Sequence, residues 1–344
     1  MKRTNLTAKI TLLAAALLAA ATPALARKAD EPLSSARIEA ALEAAYAEFR
    51  DLKEGANADY IPALAKVDPN IFGIALVTAD GRVYTKGDVT SEVSIQSISK
   101  VFTLAEVFQQ SGEQPVVDTI GVDATGQVFN SIVAVEQFKG QEMNSFVNPG
   151  AIATTSMVKG ANADAIWREI IGTYSAFAGR PLEVNQEVYK SESDTNQRNQ
   201  AIGMLMYAYG RIKENPAQAT DLYTRQCSVN VTAKDLAIMA ATLANGGVNP
   251  VTKKKVVDAA HVPGILAVMA TAGLYDDSGK WLFTTGLPAK SGVGGGIIAV
   301  SPGKFGIAAF SPPLDAAGNS VRAQKAIADV SAALGGNPYA VTPR

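Results

Sequence analysis

Ser97 and Lys100, within SIQSISKVF at 94–102, stand three residues apart at the start of an apolar helical pattern. One helical turn places both side chains on one face. A serine hydroxyl attacks a carbonyl when a base takes its proton, and lysine can be that base once burial or a neighbouring cation lowers its pKa. A helix start also favours developing negative charge. The chemistry open to this pair is acyl transfer. A second string, PAKSGVGGGIIAV at 288–300, leads Lys290-Ser291-Gly292 into a glycine cluster and a strand pattern. Glycines let a backbone approach a ligand and aim its amides there. A phosphate loop is excluded, because Ala289 and Thr284 occupy the positions where that motif requires glycine.

Other reactive residues offer less. His261 and Cys227 are the only histidine and the only cysteine. A Ser-His-Asp triad would rest on His261 alone, and there is no His/Cys set for zinc and no intramolecular disulfide. His261 reads as a helix-start or surface residue, and Cys227 as a small buried hydrophobe. Asp123, Glu192 and Asp194 define no metal or glycosidase geometry by themselves. Met204, Met206, Tyr207 and Tyr209 read as core filling. No cofactor or metal is expected.

The elements that must position these residues come from 344 residues, 47% apolar and 18% charged, with 31 basic against 32 acidic side chains. That suffices for a large core and excludes disorder and collagen. Near-neutral charge without a long basic run gives no footprint for nucleic acid. Lys2, Arg3 and Lys9 precede the apolar run 10–21, and Ala24-Leu25-Ala26 follows. This pattern reads as a secretory signal peptide, 1–26, because the run is shorter than the roughly 20 residues of a spanning helix. The expected mature protein starts near Arg27, is periplasmic and has no membrane partner.

Helical spacing is expected over 36–53, 101–110, 161–177, 197–211, 232–243, 261–273 and 320–334. Thr232 and Asp235 form a capping-box pattern. Strand patterns cover 72–78, 82–85, 283–287, 296–300 and 305–310, the first two joined by an Asp80-Gly81 hairpin turn. Strands near both ends with helices between them imply one mainly antiparallel sheet of about five strands flanked by helices. The expected division is a sheet lobe, 27–96 and 250–344, with a helical lobe, 97–249, inserted.

Ser-x-x-Lys followed by Lys-Ser-Gly is similar to the arrangement in penicillin-recognising serine enzymes. The larger set SIQSISKVF, NSFVNPGAIATTSMV, YKSESDTNQRNQAI, LYTRQCSVNVTAKDLAIMAATLANGGVNPV, MATAGLYDDSGKW, GLPAKSGVGGG and FSPPLDAAGNSV resembles the serine-dependent glutaminase family over nearly the whole mature chain. The resemblance implies an α/β fold like that of serine β-lactamases and D-Ala-D-Ala peptidases, hydrolysis of L-glutamine, and a homodimer or homotetramer. It implies Ser97 as nucleophile, Lys100 as base, and Asn148, Glu192, Asn199, Tyr223, Tyr275 and Val293 as substrate contacts. Amides of Ser97 and Val293 would form the oxyanion hole, and Tyr223 or Tyr275 would relay a proton. Lys290 joins the catalytic set, its charge and burial together depressing Lys100. Pro149 and Ala272 depart from the family pattern, and Pro149 could shift the Asn148 backbone. An exported β-lactamase or peptidase is the alternative, but its Ser-Asp-Asn element is only approximated by residues 193–196.

Overall fold

A computed structural model describes residues 33–341, so the expected signal peptide lies outside the described residues. The chain opens with α1 (Ser35–Phe49), α2 (Pro62–Ala65), the hairpin β1 (Gly73–Thr78) and β2 (Val83–Gly87), and the short β3 (Val93–Ser94). A helical stretch follows: α3 (Ser99–Ser111), α4 (Gln114–Thr119), α5 (Ile132–Phe138), α6 (Asn148–Ser156), α7 (Ala163–Ala178), α8 (Gln186–Thr195), α9 (Gln197–Ala208) and α10 (Pro216–Cys227). Then come β4 (Asn230–Val231), α11 (Ala233–Ala244), α12 (Val262–Ala272), α13 (Ser278–Thr285), β5 (Ala289–Ser291), β6 (Gly296–Ser301), β7 (Phe305–Phe310) and α14 (Val321–Leu334).

The five-stranded sheet has the order β2-β1-β7-β6-β5, and every neighbouring pair is antiparallel. Its central strands are buried on both faces, which is why they read as continuous apolar runs. Ile74, Leu76, Ile297, Ile307 and Ala309 face Ile38 and Leu42 of α1 and Ile327 and Val330 of α14. The alternate residues, Val77, Ile298, Val300, Ala308 and Phe310, join the larger core that contains Leu236 and Ala240 of α11 and Phe102 of α3. Each large aliphatic side chain so buried contributes about 1.5–3 kcal/mol. Gly306 lets α11 close on β7, since a Cβ there would lie 2.1 Å from the Ala241 nitrogen. Local signals act as expected at the Asp80-Gly81 turn, where Gly81 has φ +100°, and at α11, whose Thr232–Asp235 capping box is formed on both sides.

The structure corrects the sequence reading in two places. The strand expected at 283–287 is instead the end of α13, closed by Gly286 in the left-handed conformation. Trp281 anchors that helix, its indole N–H donating to Leu287 O, while Phe283 is 90% exposed. The fifth strand is displaced onto Ala289–Ser291, the Lys-Ser segment itself. Met206 is core, but Met204 and Tyr207 are exposed, because α9 buries only the face carrying Ile202, Gly203 and Met206.

Candidate active site

Ser97 sits in a single 3-10 turn, Gln96–Ile98, that runs directly into α3 and brings Lys100 into the first helical turn. The approach to this turn is fixed by β3 pairing with β4 and by Ile95 N–H donating to Val229 O. Gln96 has φ 49°, a left-handed conformation that costs a non-glycine residue about 1–3 kcal/mol. The backbone of 292–294 lies against the same turn. A Cβ on Gly292 would stand 2.9 Å from Ile95 O and 3.3 Å from the Ser97 nitrogen. Only a glycine permits that approach, and it brings Val293 beside Ser97.

Lys100 is buried, and its Nζ donates to Asn148 Oδ1 (2.7 Å) and Phe146 O (3.0 Å). Asn148 opens α6 and links three neighbours. Its Oδ1 also accepts from the Tyr223 hydroxyl (3.1 Å), and its Nδ2 donates to Asn199 Oδ1 of α9 (3.0 Å). Pro149 falls in the first turn of α6, where a missing N–H breaks no helical bond, and the Asn148 N–H still reaches Phe129 O at 2.7 Å. Ala272 closes α12. Tyr223 on α10 also presents its ring to Lys100, with Nζ 5.6 Å from the centroid. Cys227, one turn on, is buried with Sγ 3.8 Å from Ser99 Oγ. Burial pushes its thiol up to about 12.

Glu192, on α8, is buried and accepts a hydrogen bond from Gln96 Nε2 at 3.4 Å. Burial raises its carboxyl to about 7, although Gln96 and Lys100 favour the charged form. Burial lowers Lys100 to about 8, against opposing influences of Cys227 and Glu192. Lys290 is held well below the usual lysine range, first by burial and then by the charge of Lys100.

Tyr275 has φ 52°, and its hydroxyl lies close enough to the Ser97 side chain for that group to favour the phenolate. It also approaches Ser291 O at 3.5 Å, and burial pushes the phenol up to about 12. Thus Ser97, Lys100, Asn148, Glu192, Asn199, Tyr223, Tyr275, Lys290 and Val293 converge from both parts of the chain. Two further residues join them without a sequence signal. Gln96 spans from the turn to Glu192, and Tyr60 lies within electrostatic reach of Tyr275 and Glu192. Tyr60, Phe129 and Val293 line a cleft of about 610 Å³, and Phe129 packs on the Tyr275 ring at 4.7 Å between centroids. His261 lies elsewhere, at the start of α12 beside Glu113. Residues 193–196 end α8, with Asp194 bonded to Lys190 at the surface.

An antiparallel sheet flanked by helices, with this turn at a helix start, defines the class of β-lactamase-like folds. A family model described as Glutaminase matches residues 55–339. The chain belongs to the glutaminase family. It is 54% identical over 315 residues to a glutaminase of Colwellia psychrerythraea, covering 92% of this chain and all of that relative. A Brucella canis glutaminase is 52% identical over 306 residues, covering 89% and 96% of the two chains. Among solved structures, a probable glutaminase superposes with TM-score 0.89 at 47% identity, covering 90% of this chain and 100% of that one. A probable glutaminase from Bacillus subtilis complexed with 6-diazo-5-oxo-L-norleucine gives TM-score 0.79 at 26% identity, covering 90% and 98%.

Proposed function

We propose that the pocket hydrolyses L-glutamine through a γ-glutamyl ester on Ser97. Lys100 takes the hydroxyl proton as Ser97 attacks the side-chain carboxamide carbon. The amides of Ser97 and Val293 hold the oxyanion, a role in which one donor is worth about 3–4 kcal/mol of barrier. The C–N bond then breaks, and ammonia leaves with a proton returned through a tyrosine. Tyr275 fits that relay better than Tyr223, because its hydroxyl lies beside the Ser97 side chain, whereas that of Tyr223 is directed to Asn148. Water hydrolyses the ester, releasing L-glutamate and restoring Ser97.

Glu192 receives the substrate's α-ammonium, while Asn148 and Asn199 supply amide groups for the carboxylate or carboxamide. The observation that carries this reading is the convergence of a hydroxyl, a buried lysine and a buried carboxylate on one turn. That combination suits a small zwitterion bearing an acylating group. The amino-acid ligand named in the Bacillus subtilis complex supports it, as does a second relative, Mglu, solved in its glutamate form at 34% identity.

The test is release of ammonia and glutamate from L-glutamine by residues 27–344, with Ser97→Ala and L-asparagine in parallel. Turnover of glutamine that vanishes in Ser97→Ala is expected. Persistence of turnover in a folded Ser97→Ala protein would reject the ester mechanism.

A further inference from the structure

Lys290 is fully buried on β5, and its side-chain nitrogen donates to two backbone carbonyls, Gly273 O at 2.9 Å and Ser291 O at 2.6 Å. The same nitrogen lies 4.3 Å from the centre of the Tyr275 ring. The Gly273 carbonyl also accepts from Ser291 N–H at 3.1 Å, so the turn that leads to Tyr275 is fastened to β5 from both sides. Gly273 lies flat against that strand, since a Cβ there would meet Ala289 O at 1.7 Å. Two residues later Tyr275 holds its left-handed backbone, a conformation that persists only where surrounding contacts fix it. Among the described residues, the hydrogen bonds of the Lys290 nitrogen go to these carbonyls and none goes to Ser97.

We infer that Lys290 is a positioning residue: it clamps the Gly273–Tyr275 turn and the Tyr275 ring to β5, holding the Tyr275 hydroxyl at Ser97 without itself carrying a proton. The side chain suits that task. Its long unbranched stem reaches across the strand, and one nitrogen meets two carbonyls and an aromatic face at once. Methionine matches its length but donates nothing, and the planar fork of arginine does not fit the same point. The inference rests on the acyl-transfer reading for its kinetic consequence, and on packing alone for its structural one.

The test is a double-mutant cycle of Lys290→Met and Tyr275→Phe, with kcat and KM for L-glutamine measured across pH. Misplacing a reacting group by about 1 Å can cost about a hundredfold, so Lys290→Met is expected to lower kcat by about that factor with KM changed less than about threefold. Adding it to Tyr275→Phe should cost little more, because both changes remove one function. The rise of activity through the titration of Lys100 should stay in place. Effects that multiply, or loss of that rise in Lys290→Met, would overturn the inference by making Lys290 an independent proton carrier. Should Lys290→Met fail to fold, Lys290→Leu, which likewise lacks the donor, completes the same cycle. A structural arm needs no turnover: 3-fluorotyrosine at position 275 should give one narrow fluorine resonance in the parent and a shifted, broadened one in the Lys290 variant. An unchanged resonance would reject the clamp. A parent enzyme inactive on glutamine would defeat the acyl-transfer reading while this arm still judged Lys290.

Discussion

Glu192 and Lys100 are held in protonation states that the fold resists. The carboxyl is raised to about 7, so its contribution to stability is present below the usual carboxylate range and is lost as pH climbs to 7. The lysine is lowered to about 8, so the fold gains stability as pH rises from 8 toward the usual lysine range. Between these values both groups are charged and both oppose folding. Glu192→Gln is therefore expected to stabilise the protein at pH 7.5, while raising KM for glutamine more than about tenfold. Calorimetry and steady-state kinetics on one preparation check both, and an unchanged KM removes Glu192 from ammonium binding. The same groups shape the pH profile. Log kcat/KM should rise with a two-proton slope below about 7, with one proton up to about 8, and then level. A single-proton limb throughout would mean that one of them does not act. Ser97, Lys100 and Lys290 are legible in sequence because both motifs have fixed spacing. Glu192, Asn148, Asn199, Tyr223, Tyr275 and Val293 are legible only through family resemblance, since their meeting depends on long-range packing. Gln96 and Tyr60 escape both routes, because Gln96 acts through an unusual φ and a bond to a residue far along the chain.

Three of the helices that deliver the polar groups, α6, α8 and α10, carry too weak an apolar signal to be read from the sequence. α6 is small and buried along its whole length, α8 is polar with only Val188 and Glu192 buried, and α10 starts on a proline after an Asn215 cap. Periodicity finds a helix whose buried face is rich in large apolar residues, so α6, buried nearly all round, and α8 and α10, whose buried faces are largely polar, are missed while α7 and α14 are found to within two residues. Segment 283–287 misleads for another reason: its aromatic and β-branched composition fits a strand, yet Trp281 and Thr285 anchor its first part as the end of a helix. At the element scale the approach of 292–294 to the Ser97 turn is the most sensitive packing. Gly292→Ala would press its methyl on Ile95 O and widen the gap between the two amides. The expected result is a fall in kcat of about 10²–10³-fold, the loss of one oxyanion donor, with circular dichroism unchanged. Full activity would remove that contact from the mechanism. Gly306→Val belongs to the same scale but acts on stability. It drives a side chain into the α11 backbone, and thermal melting should show a loss of about 1–3 kcal/mol or more.

Across the whole molecule, the reading of one sheet from distant segments succeeds because the strands are long apolar runs separated by a helical stretch. Their order was not legible, since β1, β6 and β7 are buried on both faces and carry no alternation to mark neighbours. We propose export for this chain, with cleavage after Ala26. Mass spectrometry of protein from the native envelope should find Arg27 at the amino terminus, and an intact Met1 would overturn the proposal. The central pairing of β1 with β7 has a further consequence for biosynthesis. While a chain emerges from the ribosome, β1 has only its hairpin partner β2, and a two-stranded hairpin is marginal in water. Residues 289–310 must be synthesised before β5, β6 and β7 can complete the sheet and before Val293 can reach Ser97. Synthesis thus leaves the polypeptide without its five-stranded sheet, and its serine turn without the 292–294 backbone packed against it, until residues 289–310 have been joined.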